Sequence, residues 1–306
     1  MKTAKPLNIG QFNERFPNED VCLDHLMRVR YGERLKCRGC KKDAKFYRVA
    51  ERRSYACEWC GYQVYPTAGT PFTKTRTSLR DWYYVMFLFC ASRNGVAAKE
   101  VQRQLGVTYK TAWRMCNLIR QYMGWVDGDG VLGGPSNDDG MVEIDETWIG
   151  GKDQLGIDNK TKVLGMIERE GEVVTRLIET RSGAELIPHI KQFVKKGSKV
   201  STDDWAGYDG LPVHGYRHET VNHSAKEYVR GDFHTNTIEA FWANVKRGIK
   251  GTYVWVSKKH LQTYLREFEY RHNLRRSPAL MFELLVSSFS QAHLWPSPKG
   301  GHQSAP

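Results

Sequence analysis

Two hydrophobic periods alternate along the chain. Apolar residues three and four apart run through "TSLRDWYYVMFLFCAS", where Ser78 is placed to cap an amphipathic helix. The same period continues in "GVAAKEVQRQLGV", with Ala98, Val101 and Leu105 on one face. It returns in "TYKTAWRMCNLIRQYM", where Thr108 caps and Ala112, Met115 and Ile119 face inward. Two helices parted by the tight "LGV" break have the spacing of a helix-turn-helix, whose second helix enters a DNA major groove. Tyr109, Lys110 and Arg114 then lie at the exposed start of that helix. A plain three-helix packing unit has the same period.

The periodicity stops in "GWVDGDGVLGGPSNDDG", Gly124 to Gly140, where dense Gly and Asp predict a linker. Beyond it, strands are expected at "MVEIDETWIG", "KVLGMIERE" and "VVTRLIET", then a helix at "AELIPHIKQFV" and a strand at "KVSTDD". A short helical stretch near "WAGYDGL", a strand at "RHETVNH" and a helix at "TIEAFWANVKRG" complete the series. A three-strand meander followed by alternating helix and strand builds a mixed sheet with flanking helices, in the order of a ribonuclease-H-like domain.

Four of the seven cysteines form a pattern: Cys37 and Cys40 in "CRGC", Cys57 and Cys60 in "CEWC", with sixteen residues between the pairs. Two thiolate knuckles joined by a hairpin close a tetrahedral Zn2+ shell, and so small a unit needs the metal to fold. Two disulfides would require an oxidising compartment, for which the sequence carries no signal. Cys22, Cys90 and Cys116 are expected to be buried apolar residues.

The expected organisation is multidomain, α+β and α/β: an N-terminal helical segment (1–30), a zinc ribbon (31–72), a helix-turn-helix (73–125), a linker (126–140), a ribonuclease-H-like catalytic domain (141–290) and a disordered tail (291–306).

Charge narrows the choice of partner. A formal net charge of +12 and a pI near 9.3 favour a polyanion, because Lys and Arg that neutralise phosphates release counterions. Basic residues concentrate between Arg28 and Cys60, eleven against four acids, and between Phe241 and Arg276, nine against two. From Asp127 to Asp158 the balance reverses to nine acids and one Lys. An acidic island beside phosphates is unfavourable unless cations lie between them. The apolar run from Trp82 to Ala91 is too short to span a membrane, and the N-terminus lacks a secretory pattern. A cytoplasmic protein, associated with the nucleoid when bound to DNA, is expected.

Strand alternation puts Asp145 on one face with Glu143 and Thr147, while Ile144 and Glu146 point the other way. "STDD" offers Asp203 or Asp204 at a strand's C-terminal end, where open α/β sheets place functional groups. Thirty-five residues separate Asp203 from Glu239, near the start of the last helix of the series. A lone Asp or Glu is more often a solvent-facing residue; three at these points of one fold, in a basic chain, suit a pair of divalent cations ~3.5–4 Å apart. Mg2+, with Mn2+ as substitute, is the expected ion. Lys246 follows Glu239 by two helical turns, ~10 Å, within reach of a phosphate beside the metals. Arg247 and Lys250 are suited to general backbone contacts or to the helix dipole. His214, His218, His223 and His234 match no tight zinc spacing and are read as loop and DNA-facing residues.

The ordered series "CRGC", "CEWC", "GTPF" (Gly69–Phe72), "KTAWRM" (Lys110–Met115), "EIDETWIGG" (Glu143–Gly151), "HTNTIEAFW" (His234–Trp242), "KRGIKGTY" (Lys246–Tyr253) and "SKKHLQTYLREFEYRHN" (Ser257–Asn273) resembles a known family. It is similar to the bacterial insertion-sequence DDE transposases that join an N-terminal zinc ribbon to a ribonuclease-H-like domain, the prokaryotic relatives of Merlin elements. The resemblance implies that the first two catalytic acids are Asp145 and Asp203. The third position is Glu or Asn in such proteins, and both Glu239 and Asn236 are available; Glu239 is the better Mg2+ ligand, leaving Asn236 an auxiliary group.

The implied activity is binding to the terminal inverted repeats of the element, cleavage at its ends and transfer of the 3′-hydroxyls to target DNA. Paired ends imply a homodimer or larger assembly on double-stranded DNA. A transposase-derived regulator without catalysis, and a host nuclease or junction resolvase, are the competing classes.

Overall fold

A computed structural model describes residues 7–128, 130–134, 140–151, 160–221 and 234–291. The chain divides into two compact units, one made of residues up to Ala91, Val101–Met115 and the chain from Ser277, the other of Ser92–Glu100 and Cys116–Arg276. The division falls within helices α4 (Ala98–Leu105) and α5 (Tyr109–Asp127).

In the first unit, α1 (Ile9–Arg15) and α2 (Glu19–Tyr31) precede a ribbon of short strands: β1 (Leu35–Lys36), β2 (Asp43–Ala44), β3 (Phe46–Arg48), β4 (Tyr55–Cys57) and β5 (Gln63–Val64). β1 pairs with β2, and β3–β4–β5 form a second antiparallel sheet. Helix α3 (Leu79–Ala91) begins as expected at Ser78, whose Oγ accepts the Asp81 N–H at 2.9 Å. Glu19 adds a second cap, accepting the Leu79 and Arg80 N–H groups at 2.6 and 3.2 Å.

Helix α9 (Pro278–Ser290) belongs to this unit, not to the catalytic domain in which the 141–290 boundary placed it. Pro278 opens a new helix after the basic Arg275–Arg276 turn, and its aromatic residues complete the first unit's core. Phe282 packs on Phe16 with ring centroids 5.6 Å apart, and Phe289 on Phe72 at 5.5 Å.

The second unit is built on a five-stranded sheet of β6 (Val142–Ile149), β7 (Thr161–Glu168), β8 (Val173–Ile178), β9 (Lys199–Asp203) and β10 (Arg217–Val221), ordered β10-β9-β6-β7-β8. β6, β7 and β8 form the expected antiparallel meander, while β9 runs parallel to β6 and β10 parallel to β9. This is the ribonuclease-H-like mixed sheet. β6 is central and buried on both faces. Ile144 packs with Leu186 and Ile190 of α6 (Gly183–Phe193), and Ile149 with Ile238 and Val245 of α7 (Asn236–Gly248). Helix α7 continues as a π-helical turn, Ile249–Tyr253, before α8 (Lys258–Asn273).

The short helical stretch expected near Trp205 is a 3-10 turn, Ala206–Tyr208, since Gly207 and Gly210 favour no longer helix. One further expectation needs correction. The segment 126–140 is not a free linker in its described part. Helix α5 runs on to Asp127, and the buried Leu132 exchanges hydrogen bonds with Phe193 and Lys195 at 2.7 and 2.9 Å. Residues 129 and 135–139, His223 and all but the first residue of the expected tail lie outside the described residues.

Gly165 sets how closely α7 approaches the sheet. It pairs with Asp145 across β6 and β7, and a Cβ there would stand 2.3 Å from the Trp242 ring. Only glycine leaves that indole room to lie on the strand.

Candidate active site

The parallel pairing of β6 and β9 aligns Val142 with Val200 and Glu143 with Ser201. Continuing that register brings Asp145 level with Asp203 at the C-terminal end of β9. Oxygen atoms of Asp145, Glu146 and Asp203 lie within 4.8 Å of one another. Alternation sends Glu146 to the face opposite Asp145, yet beside the C-terminal end of β9 its carboxylate reaches the same cluster. Pattern reasoning on β6 alone did not reveal this, because the contact is made by the neighbouring strand.

Burial pushes the Asp145 carboxyl up to about 7, helped by the like charges of Glu146, Asp203 and, last, Glu239. Burial likewise holds Glu146 above the ordinary carboxylate value, with Arg181 pulling the other way. Glu146 Oε1 is buried and lacks a well-formed hydrogen bond among the described residues. Oxygen-only donors, mutual repulsion and an orphaned buried carboxylate oxygen together fit a hard divalent cation.

In the metal-free protein the folded state keeps on Asp145 a proton that the unfolded chain releases above pH 3.8, so stability declines as pH rises toward 7. A cation must displace that proton. Mg2+ titration of the protein is therefore expected to show affinity rising about tenfold per pH unit up to about pH 7 and levelling above it. An affinity flat from pH 5 to 8 would contradict the assignment.

Arg181, on the loop before α6, is a site residue that no sequence pattern indicated. Its Nη2 donates to Glu146 Oε2 at 3.1 Å and to Asp203 Oδ2 at 3.3 Å. Its guanidinium lies between the Trp148 and Trp205 rings, 5.3 and 4.4 Å from their centroids. The Trp205 indole N–H donates to the Arg181 carbonyl at 2.7 Å, closing the bracket.

Glu239 stands outside the 4.8 Å cluster, exposed on the first turn of α7, where its Oε1 accepts the Thr235 hydroxyl at 2.9 Å. Asn236 is the exposed first residue of the same helix. Both owe their position to Glu143. Thr235 makes no side-chain cap, and the buried Glu143 carboxylate instead accepts the Thr237 and Ile238 N–H groups at 2.8 and 3.0 Å. It also accepts the Thr237 hydroxyl at 2.9 Å and Arg169 Nε at 2.6 Å, with His234 Nδ1 3.1 Å away. A carboxylate two residues before Asp145 thus caps the helix that carries Glu239. Alternation placed Glu143 on that face, but its partner is a tertiary fact.

The E143Q variant keeps the shape and replaces one acceptor oxygen by an amide. It is expected to lose about 2 kcal/mol of stability, read as a lowered urea midpoint with unchanged slope.

Lys246 and Arg247 end α7, Lys250 lies in the π turn, and all three are exposed. His214 is exposed, whereas His218 is half-buried with Nε2 2.9 Å from the Thr202 hydroxyl.

In the ribbon, the Sγ atoms of Cys37, Cys40, Cys57 and Cys60 lie within 4.8 Å of one another. Each Cys-x-x-Cys knuckle closes with a backbone bond, Lys41 N–H to Cys37 O at 2.9 Å and Gly61 N–H to Cys57 O at 3.0 Å. Lys41 and Gly61, each just past its knuckle, share a left-handed φ of 62° and 71°. The donor set fits tetrahedral Zn2+.

Among the helix-turn-helix residues, Thr108 Oγ1 accepts the Thr111 N–H at 3.2 Å, and Val101, Ala112 and Met115 are buried as the pattern expects. Tyr109 and Lys110 are exposed. Arg114 also has an exposed side, but its guanidinium lies 5.8 Å from the Trp82 centroid.

Two family models and two relatives match the chain. An ISXO2-like transposase domain matches residues 139–273, and a transposase zinc-ribbon domain matches residues 17–63. The chain is 26% identical over 290 residues to a protein in transposable element ISH50 of Halobacterium salinarum, covering 86% of this chain and 94% of that one. It is 33% identical over 102 residues to a transposase-like protein of Haemophilus influenzae, covering 33% of this chain and 81% of the relative.

Proposed function

The chain belongs to the insertion-sequence transposases that join a zinc ribbon to an ISXO2-like transposase domain, and on that premise we propose that it cuts DNA at its element's ends and joins the freed 3′-hydroxyls to target DNA. The observation that carries this reading is the meeting of Asp145 and Glu146, from the middle of β6, with Asp203 at the C-terminal end of the parallel neighbour β9.

Asp145 and Asp203 would hold the catalytic cations, with Glu239 the third carboxylate and Asn236 an auxiliary group. Magnesium, when bound, supplies positive charge for the phosphoryl oxygens and for the attacking and leaving oxygens of an in-line displacement. Arg181 holds Asp203 in place and keeps positive charge beside it. Lys246 would meet the phosphate next to the reacting bond, and Arg247 and Lys250 the backbone further along. Tyr109, Lys110 and Arg114 at the start of α5, with the zinc-bearing ribbon, would recognise the inverted repeats. Two ends brought together imply a homodimer or larger assembly on DNA.

The test is incubation with labelled duplex carrying the repeats that flank the gene, in Mg2+ and in Mn2+. Nicked and joined products are expected; tight end binding without either product would leave a DNA-binding regulator instead.

A further inference from the structure

At the end of the π turn the chain is forced outward. Val254 and Trp255 are 79% and 68% exposed, and Val254 holds a φ of +65°. A β-branched residue takes that conformation only where its surroundings impose it, and such positions gather at ligand sites. The imposing neighbour is Tyr253. Its hydroxyl bonds the two Glu267 oxygens at 2.7 and 2.8 Å and accepts the Val96 N–H at 3.1 Å. Glu267 is wholly buried and receives Arg120 Nε and Arg271 Nη1, each at 2.6 Å. With Tyr253 anchored so firmly, the next two residues have nowhere to go but outward.

Trp255 lines a cleft of about 340 Å³ together with Trp148, 40% exposed, the side-chain-free Gly150–Gly151, and Lys246 and Lys250. Arg181 links the cleft to the carboxylates, lying 5.3 Å from the Trp148 ring centroid and donating to Asp203 at 3.3 Å.

We propose that this cleft receives an unstacked nucleotide of the DNA strand next to the cleaved bond, its base against Trp255 and Trp148 and its phosphates on Lys246 and Lys250. The inference rests on the DNA-end activity proposed above. Every base offers a π face to an indole, and cations at the rim supply the complementary charge. A second copy of a chain carrying +12 would bring like charge to those lysines. A paired base cannot enter, so an unpaired strand end is the preferred ligand.

The test uses the full chain without added divalent metal and short duplexes that are blunt or carry a four-nucleotide single-stranded extension containing 2-aminopurine. Wild type is expected to prefer the extended duplex by on the order of tenfold and to quench the probe. W255A should lose both effects and W255F keep them. Because Trp255 is exposed, the W255A melting temperature should match wild type. Retention of preference and quenching in W255A overturns the proposal. So does an altered sedimentation mass in W255A with the preference intact, which would seat a second copy in the cleft. Cleavage of the end substrate by wild type in Mg2+ is measured alongside. Cleavage without any preference for the extension sinks the cleft alone, whereas neither binding nor cleavage sinks the reading beneath it.

Discussion

Asp145→Asn and Asp203→Asn are each expected to reduce end cleavage and joining by about a thousandfold or more, with DNA-end affinity nearly unchanged. Each substitution is close to isosteric but removes a charged ligand, and a displaced cation forfeits several kcal/mol of transition-state stabilisation. Binding depends on other surfaces, so a gel-shift titration should remain near wild type while the strand-transfer assay fails. The third position is decided in the same assay by E239Q against N236A. A large loss in E239Q with a modest one in N236A fits the ligand set favoured here; the reverse outcome moves the third ligand to Asn236. Full activity in either aspartate variant would dismantle the centre.

Removing zinc is expected to be as drastic at the other site. The ribbon's hydrophobic cluster is little more than Cys37, Ala44 and Cys57, with Cys40 and Phe46 against it. So small a core cannot offset the ordering of its strands. Structural zinc contributes about 10–16 kcal/mol to such modules, so C57S or prolonged chelation should unfold the ribbon outright. One zinc per chain by elemental analysis, lost in C57S, together with faster proteolytic cutting between residues 34 and 65 and weakened end binding, is the expected set. A zinc-free ribbon as protease-resistant as wild type would contradict it.

Much of the fold was legible because local spacing dictates it. The knuckles need only two Cys-x-x-Cys pairs, α3 and α5 follow their apolar periods, and strand order follows from the succession of runs. What stayed hidden depends on chain segments meeting. Glu146 reads as facing away from Asp145 until β9 lies alongside, and Arg181 carries no pattern that points it at Asp203. Glu143 was visible as a residue on Asp145's face, but its task of capping α7 requires the helix to be docked. The 141–290 boundary failed because a helix's apolar stripe says that it is buried and not which core buries it. Leu132 lies among Gly and Asp, where the isolated pair Val131–Leu132 leaves no period to detect.

The parallel pairing of β6 with β9 also sets an order in time. Asp145 and Asp203 are about sixty residues apart in the chain and become neighbours only when a long crossover closes, a slow class of contact to form. The four cysteines lie within a short hairpin near the start of the chain and can assemble while the rest is still being synthesised. A newly made molecule therefore closes its four-cysteine cluster before Asp145 and Asp203 meet, and a chain truncated before β9 has the first without the second.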